Sequence, residues 1–301
     1  MKQSLSYYLT LFVIKLKGIK SNFSKDPIDY KKIRKEDVHE PKGNFFKNHI
    51  SNRIEVLDSI VTEIVVDKNS TKLLIFIHGG AFISGPAQHH WDALKTIAQA
   101  TNFTSWLCNY PKAPENNITA ISKNIDAIYI KALEKYTPSN IFLIGDSVGA
   151  TLVTCLVQRL IEHKNKLPKK IILVSPVMDA SLSNQSIEKI EEKDPMLSKK
   201  GVLSAKKMCA GDKDLKDQLI SPLYASFQGF PSTVLFIAQN DIMYPDEKLA
   251  VEKLNEANVD LELIEGKNMP HIWPFLPVMK ESRIAMKKII AALETEDSKT
   301  G

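Results

Sequence analysis

The stretch that decides the fold is Ile141-Phe142-Leu143-Ile144-Gly145-Asp146-Ser147-Val148-Gly149-Ala150. In it an apolar run stops at a serine bracketed by Gly145 and Gly149, and a second apolar run with helical spacing follows. The pattern predicts a buried strand, a sharp turn at Ser147 and a buried helix, an arrangement that exposes a nucleophilic serine. The alternative is a tight strand-to-helix turn of a doubly wound sheet, in which Ser147 only caps the helix. The choice between a nucleophilic serine and a helix-capping serine depends on whether candidate catalytic partners of Ser147 occur elsewhere in the chain.

The composition is that of an ordinary soluble protein. Of the 301 residues, 44% are hydrophobic and 25% are charged, which is enough chain for one large α/β domain or two small ones. The net charge of +5 is concentrated at the N-terminus, because residues 1–50 hold 11 Lys and Arg against 5 Asp and Glu. The rest of the chain is close to neutral, which argues against a nucleic-acid-binding surface.

The cysteines and histidines argue against disulfide bonds and metal sites. Cys108, Cys155 and Cys209 are odd in number, widely spaced and set mostly in apolar runs. We therefore expect buried free thiols in a reducing, cytoplasmic compartment. No group of histidines and cysteines has the spacing of metal ligands, so the sequence predicts neither a metal nor an organic cofactor.

Short apolar runs bounded by turns recur along the chain and predict the strands of a mostly parallel sheet with both faces covered by helices. The first two form an edge pair around Asp58-Ser59 within residues 54–66. The others are residues 73–77, 103–109, 141–144, 171–174, 233–238 and 261–264. The interval between Pro176 and Pro222 is longer than a simple crossover needs, and we interpret it as an insertion over the strand ends.

The N-terminal segment carries a predicted amphipathic helix. Its apolar stripe, followed by lysines, consists of Leu5, Tyr8, Leu9, Phe12, Val13 and Leu16. The helix is too short and polar to span a membrane, and it lacks the cleavage site of a signal peptide. We expect the stripe to pack on the rest of the protein; contact with a membrane surface is the alternative that a basic amphipathic helix leaves open. Residues 24–48 are predicted to be a surface connection, and the folded core to begin near Ile50.

A second motif, His78-Gly79-Gly80-Ala81-Phe82, follows the predicted strand at residues 73–77. Two glycines directly after a buried strand let the backbone turn with its N–H groups pointing into a cleft, as an oxyanion hole requires. The alternative is a plain glycine turn in which His78 is a hydrogen-bonded structural residue.

Candidate partners for Ser147 lie in the last part of the chain, because a serine elbow of this kind is followed by an acid and then a histidine. Of the seven histidines only His271 comes after the last predicted strand, on a loop where sites of open sheets gather. Asp241 directly follows the preceding strand, whereas Asp246 begins a predicted helix and is typical of a first-turn acid. Asp241 is therefore predicted to orient His271.

Taken together, these motifs resemble the hormone-sensitive-lipase-like branch of the α/β-hydrolase superfamily. The resemblance covers roughly residues 70–275. It is carried by His78-Gly79-Gly80-Ala81-Phe82, Tyr110-Pro111-Lys112-Ala113-Pro114-Glu115, Gly145-Asp146-Ser147-Val148-Gly149, Ser175-Pro176 with Asp179, Asp241 to Asp246, and His271. Ala81 replaces the usual third glycine, Val148 the usual alanine, and the acid segment is one residue longer than in the family; none of these changes removes a catalytic atom.

The resemblance implies an α/β-hydrolase fold with a helical cap. We expect residues 1–48 and 177–221 to form the cap, and residues 49–176 and 222–301 to form the two parts of the core. Ser147, Asp241 and His271 would be the catalytic triad, and the N–H groups of Gly79, Gly80 and Val148 the oxyanion hole. We also expect three aromatic side chains to contact the substrate: Phe82, Tyr110 and Trp273.

The implied activity is hydrolysis of short-chain, acetyl-like esters through an acyl-enzyme. An amidase or deacetylase of an acylated small molecule uses the same residues and stays open, as does a non-catalytic binding protein on this fold. The expected partner is a small-molecule ester. Nucleic acid and stable membrane insertion are not expected, and a monomer and a dimer are equally compatible with the sequence.

Overall fold

The protein is built on one eight-stranded sheet, seen in a computed structural model that describes residues 3–41, 45–46 and 49–295. The strands are β1 Ile50–Val56, β2 Ser59–Val65, β3 Leu73–Ile77, β4 Thr104–Asn109, β5 Ile141–Asp146, β6 Lys170–Val174, β7 Ser232–Ala238 and β8 Leu261–Gly266. They lie in the order β1-β2-β4-β3-β5-β6-β7-β8, and only the pairs β1–β2 and β2–β4 are antiparallel. The predicted mostly parallel sheet is confirmed.

Helices cover the sheet. They are α1 Leu5–Leu16, α2 Ile19–Asn22, α3 Tyr30–Ile33, α4 Gln88–Thr101, α5 Ile118–Leu133, α6 Val148–Glu162, α7 Ile187–Glu191, α8 Lys199–Ala210, α9 Tyr244–Glu256 and α10 Lys280–Glu294. Helix α4 packs on α10, and α5 packs on α6. Every residue of β3, β5 and β6 is buried, so both faces of the central strands are covered, as their continuous apolar sequences predict.

The edge hairpin is longer than its apolar pattern. Strand β1 begins at Ile50, four residues before the predicted run, and its first half is exposed to solvent. The added residues Ser51, Asn52 and Arg53 carry no apolar signal because they face water at the sheet edge. The boundary of the strand is therefore set by pairing with β2, where Ile50 lies opposite Val65.

Helix α1 is rotated relative to the sequence expectation, and the prediction that its apolar stripe packs inward is wrong. The stripe faces solvent: Leu5 is 90% exposed and Leu16 70%, and Tyr8, Leu9, Phe12 and Val13 are also exposed. The helix packs instead through Tyr7, Thr10 and Ile14.

Polar anchors explain this rotation of α1. Ser4 donates from both its backbone N–H and its hydroxyl to the Glu281 carboxylate, at 2.8 Å each, and Tyr7 Oη donates to Asn268 O at 2.8 Å. These bonds fix which side of the helix faces the core, and the wider apolar side is left outside. Within the described residues no helix has the length and apolar character needed to cross a bilayer.

Residues 24–41 are more than the predicted surface connection. Ile28 is buried, and its N–H donates to Ser204 Oγ at 3.0 Å. Arg34 donates to Ile83 O in the loop after β3, and to Ala113 O and both oxygens of Glu115 in the loop after β4, which ties the segment to both loops. The segment therefore packs into the protein. The rest of the predicted connection is described only at residues 45–46.

The insertion after β6 packs against the N-terminal segment. A Cβ added at Gly201 in α8 would lie 1.8 Å from Phe23 O, so the two backbones are in direct contact and only glycine fits there. Lys20 donates to the backbone oxygens of Glu191 and, at 2.8 Å, Asp194. The two segments that the sequence assigned to a cap are thus in direct contact at these residues.

Candidate active site

Ser147 stands on a strained turn between β5 and α6. Its φ is 51° and its ψ is −126°, a backbone conformation that costs a non-glycine residue of the order of 1–3 kcal/mol. The surrounding backbone holds it there, since Ser147 N–H donates to Val174 O on the neighbouring strand at 2.8 Å. Strain that is kept in this way is typical of a functional position.

The two bracketing glycines are required by close contacts. A Cβ at Gly149 would lie 2.0 Å from Ile77 O, and one at Gly145 would lie 2.6 Å from the backbone nitrogen of Ala150. Because these neighbours are backbone atoms, no side-chain rotation could relieve the clash. The glycines let α6 start directly against the sheet.

His271 and Asp241 form a buried pair. His271 Nδ1–H donates to Asp241 Oδ2 at 2.6 Å, and both side chains are at most 5% exposed. Burial alone would lower the pKa of His271, but the Asp241 carboxylate raises it above 6.5 overall. The bond also fixes the tautomer, so that Nε2 is the free nitrogen. His271 and Ser147 line the same cavity.

Ser147 and His271 do not share a hydrogen bond within the described part of the chain. Such contacts commonly shorten only when a substrate is bound. The rival acid Asp246 lies in the first turn of α9, as predicted, where it accepts from Asn184 Nδ2 at 3.0 Å. Burial raises the pKa of Asp246 to about 6, and the geometry leaves Asp241 as the partner of His271.

The loop after β3 does not leave Gly79 free as an oxyanion-hole donor. Gly79 N–H donates to Asp146 Oδ1 at 3.0 Å, a bond that sequence reasoning missed although Asp146 directly precedes the serine. Gly80 and Ala81 line the cavity, and among the described residues their N–H groups have no acceptor. The candidate donors are therefore Gly80 and Ala81, with Val148 N–H at the first position of α6.

A buried carboxylate supports this loop from behind. His90 Nδ1 accepts Ala87 N–H at 2.8 Å, so a neutral His90 carries its proton on Nε2, which donates to Asp146 Oδ2 at 3.3 Å. Burial alone would raise the pKa of Asp146, but the neighbouring His90 keeps it below its usual value. Asp146 is thus a charged acceptor that holds Gly79 in place.

His78 has a structural role in the same loop. Its Nδ1–H donates to Gly79 O at 2.6 Å, and its ring stacks on Tyr110 with centroids 4.5 Å apart. Burial lowers the pKa of His78 well below its usual value, so the imidazole is neutral. These contacts match the alternative that the sequence left open for this histidine.

One group in the described part of the chain brings three candidate metal-ligand atoms within 4.8 Å of one another: His89, His90 and Asp146. His90 and Asp146 already use these atoms for each other and for the backbone of the loop. Burial lowers the pKa of His89 to about 3, so it adds no positive charge. The arrangement is that of a hydrogen-bonded support for the elbow.

A cavity of about 420 Å³ contains the candidate catalytic groups. The N-terminal segment lines it with Ile19, Phe23, Ile33 and Asp37, and the insertion with Met196, Leu197, Val202 and Lys206. The residues that the sequence assigned to the cap therefore form a large part of the wall. The sequence contained no signal for these individual side chains beyond their location in the two segments.

The three aromatic residues predicted to contact the substrate do not line this cavity. Phe82 is fully buried, Tyr110 Oη donates to His78 O at 2.8 Å, and Trp273 Nε1 donates to Ile237 O at 3.3 Å. Their rings are buried behind the residues that line the cavity. Aromatic character and nearness to a motif in the sequence do not distinguish this role from substrate contact.

Asp194 is a further buried acid at the site that sequence reasoning did not single out. Its Oδ1 accepts Met196 and Leu197 N–H at 2.8 Å, and its Oδ2 accepts Ile242 N–H at 3.0 Å. Burial, together with the nearby Asp241 carboxylate, raises its pKa to about 7. Asp194 thereby fastens the insertion to the loop that carries Asp241.

The chain belongs to the family described as alpha/beta hydrolase fold, whose model matches residues 74–275. An esterase of Acinetobacter venetianus is 30% identical over 199 residues, which cover 65% of this chain and 66% of that protein. A putative esterase from Staphylococcus aureus has a similar structure, with a TM-score of 0.87, 27% identity and coverage of 95% of this chain and 99% of that one.

An esterase from the bacterial hormone-sensitive lipase family is also similar, with a TM-score of 0.85, 25% identity and coverage of 97% and 98%. The resemblance carried by the sequence motifs is thereby confirmed. These relatives support a carboxylic ester hydrolase as the class of this protein.

Proposed function

We propose that the protein is a serine carboxylesterase with Ser147, His271 and Asp241 as its catalytic triad. The observation that carries the proposal is the buried His271–Asp241 pair, 2.6 Å long, on the same cavity as a serine held in a strained turn. A serine that only capped a helix would need neither the strain nor the pair. No metal or organic cofactor has a part in this chemistry.

The reaction proceeds in two acyl transfers. His271 Nε2 accepts the Ser147 proton while Oγ attacks the ester carbonyl, and the N–H groups of Gly80, Ala81 and Val148 stabilise the oxyanion. The C–O bond to the alcohol breaks as His271 returns the proton to it, leaving an acyl-serine. Water, deprotonated by the same nitrogen, then releases the acid and restores the serine. Asp241 holds the imidazole and stabilises its charged form.

A short acyl chain is the substrate that the cavity size favours. Its volume of about 420 Å³ lies in the lower part of the range of roughly 300–1,000 Å³ for small-molecule sites, and two chain segments wall it. We therefore propose acetyl-like esters. A series of 4-nitrophenyl esters of increasing acyl length, run beside the matching anilides, tests chain length and the amidase alternative in one experiment.

The test of the nucleophile is Ser147→Ala, which removes only the attacking atom. The variant should fold, lose ester hydrolysis almost completely and resist labelling by a fluorophosphonate probe that labels the parent. Thr151→Ser, one helical turn further along α6, is a control that should keep both activity and labelling. Labelling of the Ser147→Ala variant with retained turnover would refute the proposed nucleophile.

We also propose a cytoplasmic location. Cys108, Cys155 and Cys209 are all buried as free thiols, which suits a reducing compartment. Fractionation of cells that express the protein tests this, and recovery from an extracellular fraction would contradict it.

A further inference from the structure

Lys206 is a buried lysine on the active-site cavity. It lies on α8, is 1% exposed and lines the cavity together with Ser147 and His271. In the described part of the chain no carboxylate forms an ion pair with its ammonium and no oxygen accepts a hydrogen bond from it. Its Nζ lies over the face of the Phe82 ring, 4.6 Å from the centroid. Lysines are almost never buried without a partner.

The other lysines in similar surroundings have partners. Buried Lys170 donates to Ala292 O at 2.9 Å, and Lys112 donates to Asn109 Oδ1 and to Tyr110 O. The cation–π contact alone recovers only part of the cost of burying an ammonium. Burial accordingly lowers the pKa of Lys206 to about 7. The fold therefore keeps an ionisable amine at a position where its positive charge is costly and where a ligand can reach it.

Three acids line the cavity, and in the described part of the chain none of them forms an ion pair with Lys206: Glu36 is exposed to solvent, and Asp37 and Asp146 accept hydrogen bonds from other groups. Asp37 Oδ1 accepts Gly85 N–H at 2.7 Å, and Asp146 is bonded to Gly79 and His90. The walls contributed by the insertion are otherwise largely apolar. Two other lysines of the wall, Lys32 and Lys35, are exposed, so Lys206 is the buried amine that a negative group would meet inside the cavity, where a charge-assisted bond is strong.

We propose that Lys206 binds a carboxylate of the substrate, so that the enzyme acts on esters that carry a negative charge. The inference rests on the esterase function proposed above and adds the substrate class: short esters with a free carboxylate on the acyl or the alcohol side. Binding of the anion keeps the lysine protonated, and the buried charge is paired only in the complex.

The experiment compares matched neutral and anionic esters. On the acyl side, 4-nitrophenyl pentanoate is paired with mono-4-nitrophenyl glutarate; on the alcohol side, phenyl acetate is paired with 4-acetoxybenzoate. The parent should prefer the anionic member of one pair. In Lys206→Met, kcat/KM for that ester should fall about tenfold to hundredfold, as expected for a lost bond to a charged group. The neutral esters should stay within about threefold, and Lys207→Met, at an exposed neighbour, should change neither.

Two outcomes would overturn the proposal: equal losses on neutral and anionic esters, or no preference of the parent for either anionic ester. A binding measurement separates this from failure of the esterase function. Glutarate should protect Ser147 from a fluorophosphonate probe better than pentanoate does in the parent, and not in Lys206→Met. If no ester is hydrolysed but this protection is seen, the result supports the anion site and refutes the proposed reaction. If Lys206→Met does not fold, Lys206→Gln takes its place.

A second inference concerns the exposed stripe of α1, defined by Leu5, Tyr8, Leu9, Phe12, Val13 and Leu16. All six side chains are at least 42% exposed on a helix of 12 residues. Isolated exposed apolar residues are common, but six on one short helix mark an interaction surface. Other parts of the described chain leave this side of α1 uncovered.

The charge next to the stripe identifies the partner. Residues 3–25 contain no Asp or Glu, and their four lysines include the exposed Lys15, Lys17 and Lys25. An apolar helix face with adjacent lysines and no acid complements an anionic lipid surface. A two-fold contact between two copies of the chain would instead bring the same lysines close together.

We propose that α1 lies on a membrane surface that contains anionic lipid, with its stripe inserted among the acyl chains. Helix α2 follows directly, and its Ile19 lines the active-site cavity. Docking would therefore bring the lipid surface beside the site, where an ester partitioned into the bilayer is concentrated. This contact is peripheral and independent of the anion site at Lys206.

Vesicle co-sedimentation tests this docking. The full chain should bind vesicles of phosphatidylglycerol and phosphatidylcholine, and bind pure phosphatidylcholine vesicles about tenfold or more weakly. Phe12→Glu should abolish binding to both. Ile130→Glu, at a comparably exposed apolar residue on α5, is the matched control and should bind like the parent. Binding unaffected by Phe12→Glu, or a dimer in solution that this variant dissociates, would overturn the proposal.

Discussion

The substitution Asp241→Asn should leave the fold intact and lower kcat by about four orders of magnitude. Both oxygens of Asp241 are engaged: Oδ1 accepts Met243 N–H at 3.0 Å, and Oδ2 accepts His271 Nδ1–H at 2.6 Å. In asparagine the carbonyl oxygen stays with Met243, because the backbone N–H cannot donate to an NH2 group. The amide NH2 then faces His271 and donates to Nδ1.

This reversal of the hydrogen bond sets the magnitude. A donor at Nδ1 holds the imidazole with its proton on Nε2, the nitrogen that has to accept the Ser147 proton. A wrong tautomer costs about 10⁴ in kcat, which corresponds to about 5 kcal/mol of barrier. The lost charge also removes the attraction that raises the pKa of His271, so the acid limb of the residual activity should move to lower pH.

The assay is the pH dependence of 4-nitrophenyl acetate hydrolysis, with thermal melting as the check on folding. Asp246→Asn is the matched control, because Asp246 is the neighbouring acid and contacts Asn184 instead of the histidine. It should keep activity within about threefold. Loss of activity in Asp246→Asn with turnover kept in Asp241→Asn would refute the assignment of the acid.

Two further predictions concern pH and the packing of the two cap segments. Hydrolysis of a neutral ester should fall as the pH drops through a midpoint above 6.5, because only neutral His271 accepts the serine proton and its pKa is raised; a midpoint below 6.5 would contradict this. Gly201→Ala should lower stability by roughly 1–3 kcal/mol, because its Cβ would lie 1.8 Å from Phe23 O. Thermal melting curves measure the loss of stability, and the variant Lys200→Ala, at an exposed neighbour, is the control. Equal melting temperatures of the two variants would show that the segments are not in firm contact.

Local patterns predicted the sheet and the elements that carry the candidate triad. The apolar runs at β3 and β5 are each short and unbroken, the first followed by His78-Gly79 and the second by Gly145, so a buried strand is the element that both predict. The order of serine, acid and histidine along the chain then pointed to Asp241 and His271, and the structure brings these two side chains together. Such features depend on neighbouring residues or on chain order, both of which can be seen in a sequence.

Features that depend on distant contacts could not be predicted in this way. In the sequence of α1 the apolar stripe is a stronger signal of burial than the side that carries Tyr7. Hydrogen bonds from Ser4 and Tyr7 to residues more than 260 positions away nevertheless place the Tyr7 side against the core. The sequence predicts Gly79 as an oxyanion-hole donor because it does not show where side chains point. In the fold the Asp146 carboxylate accepts the Gly79 N–H. Lys206 is one of many lysines in a charged insertion, and its burial is a property of packing alone.

The contacts of α1 have a consequence for the synthesis of the chain. Glu281, which accepts the hydrogen bonds of Ser4, is synthesised 277 residues after Ser4, at the start of α10. At about 5–20 residues per second a ribosome needs about 14–55 s to cover that distance. Throughout that time the side of α1 that carries Tyr7 lacks its contacts with the later part of the chain, so both sides of the helix are exposed and accessible to chaperones or to aggregating chains. The loop of His271 and the docking of α1 therefore become possible at nearly the same stage of synthesis.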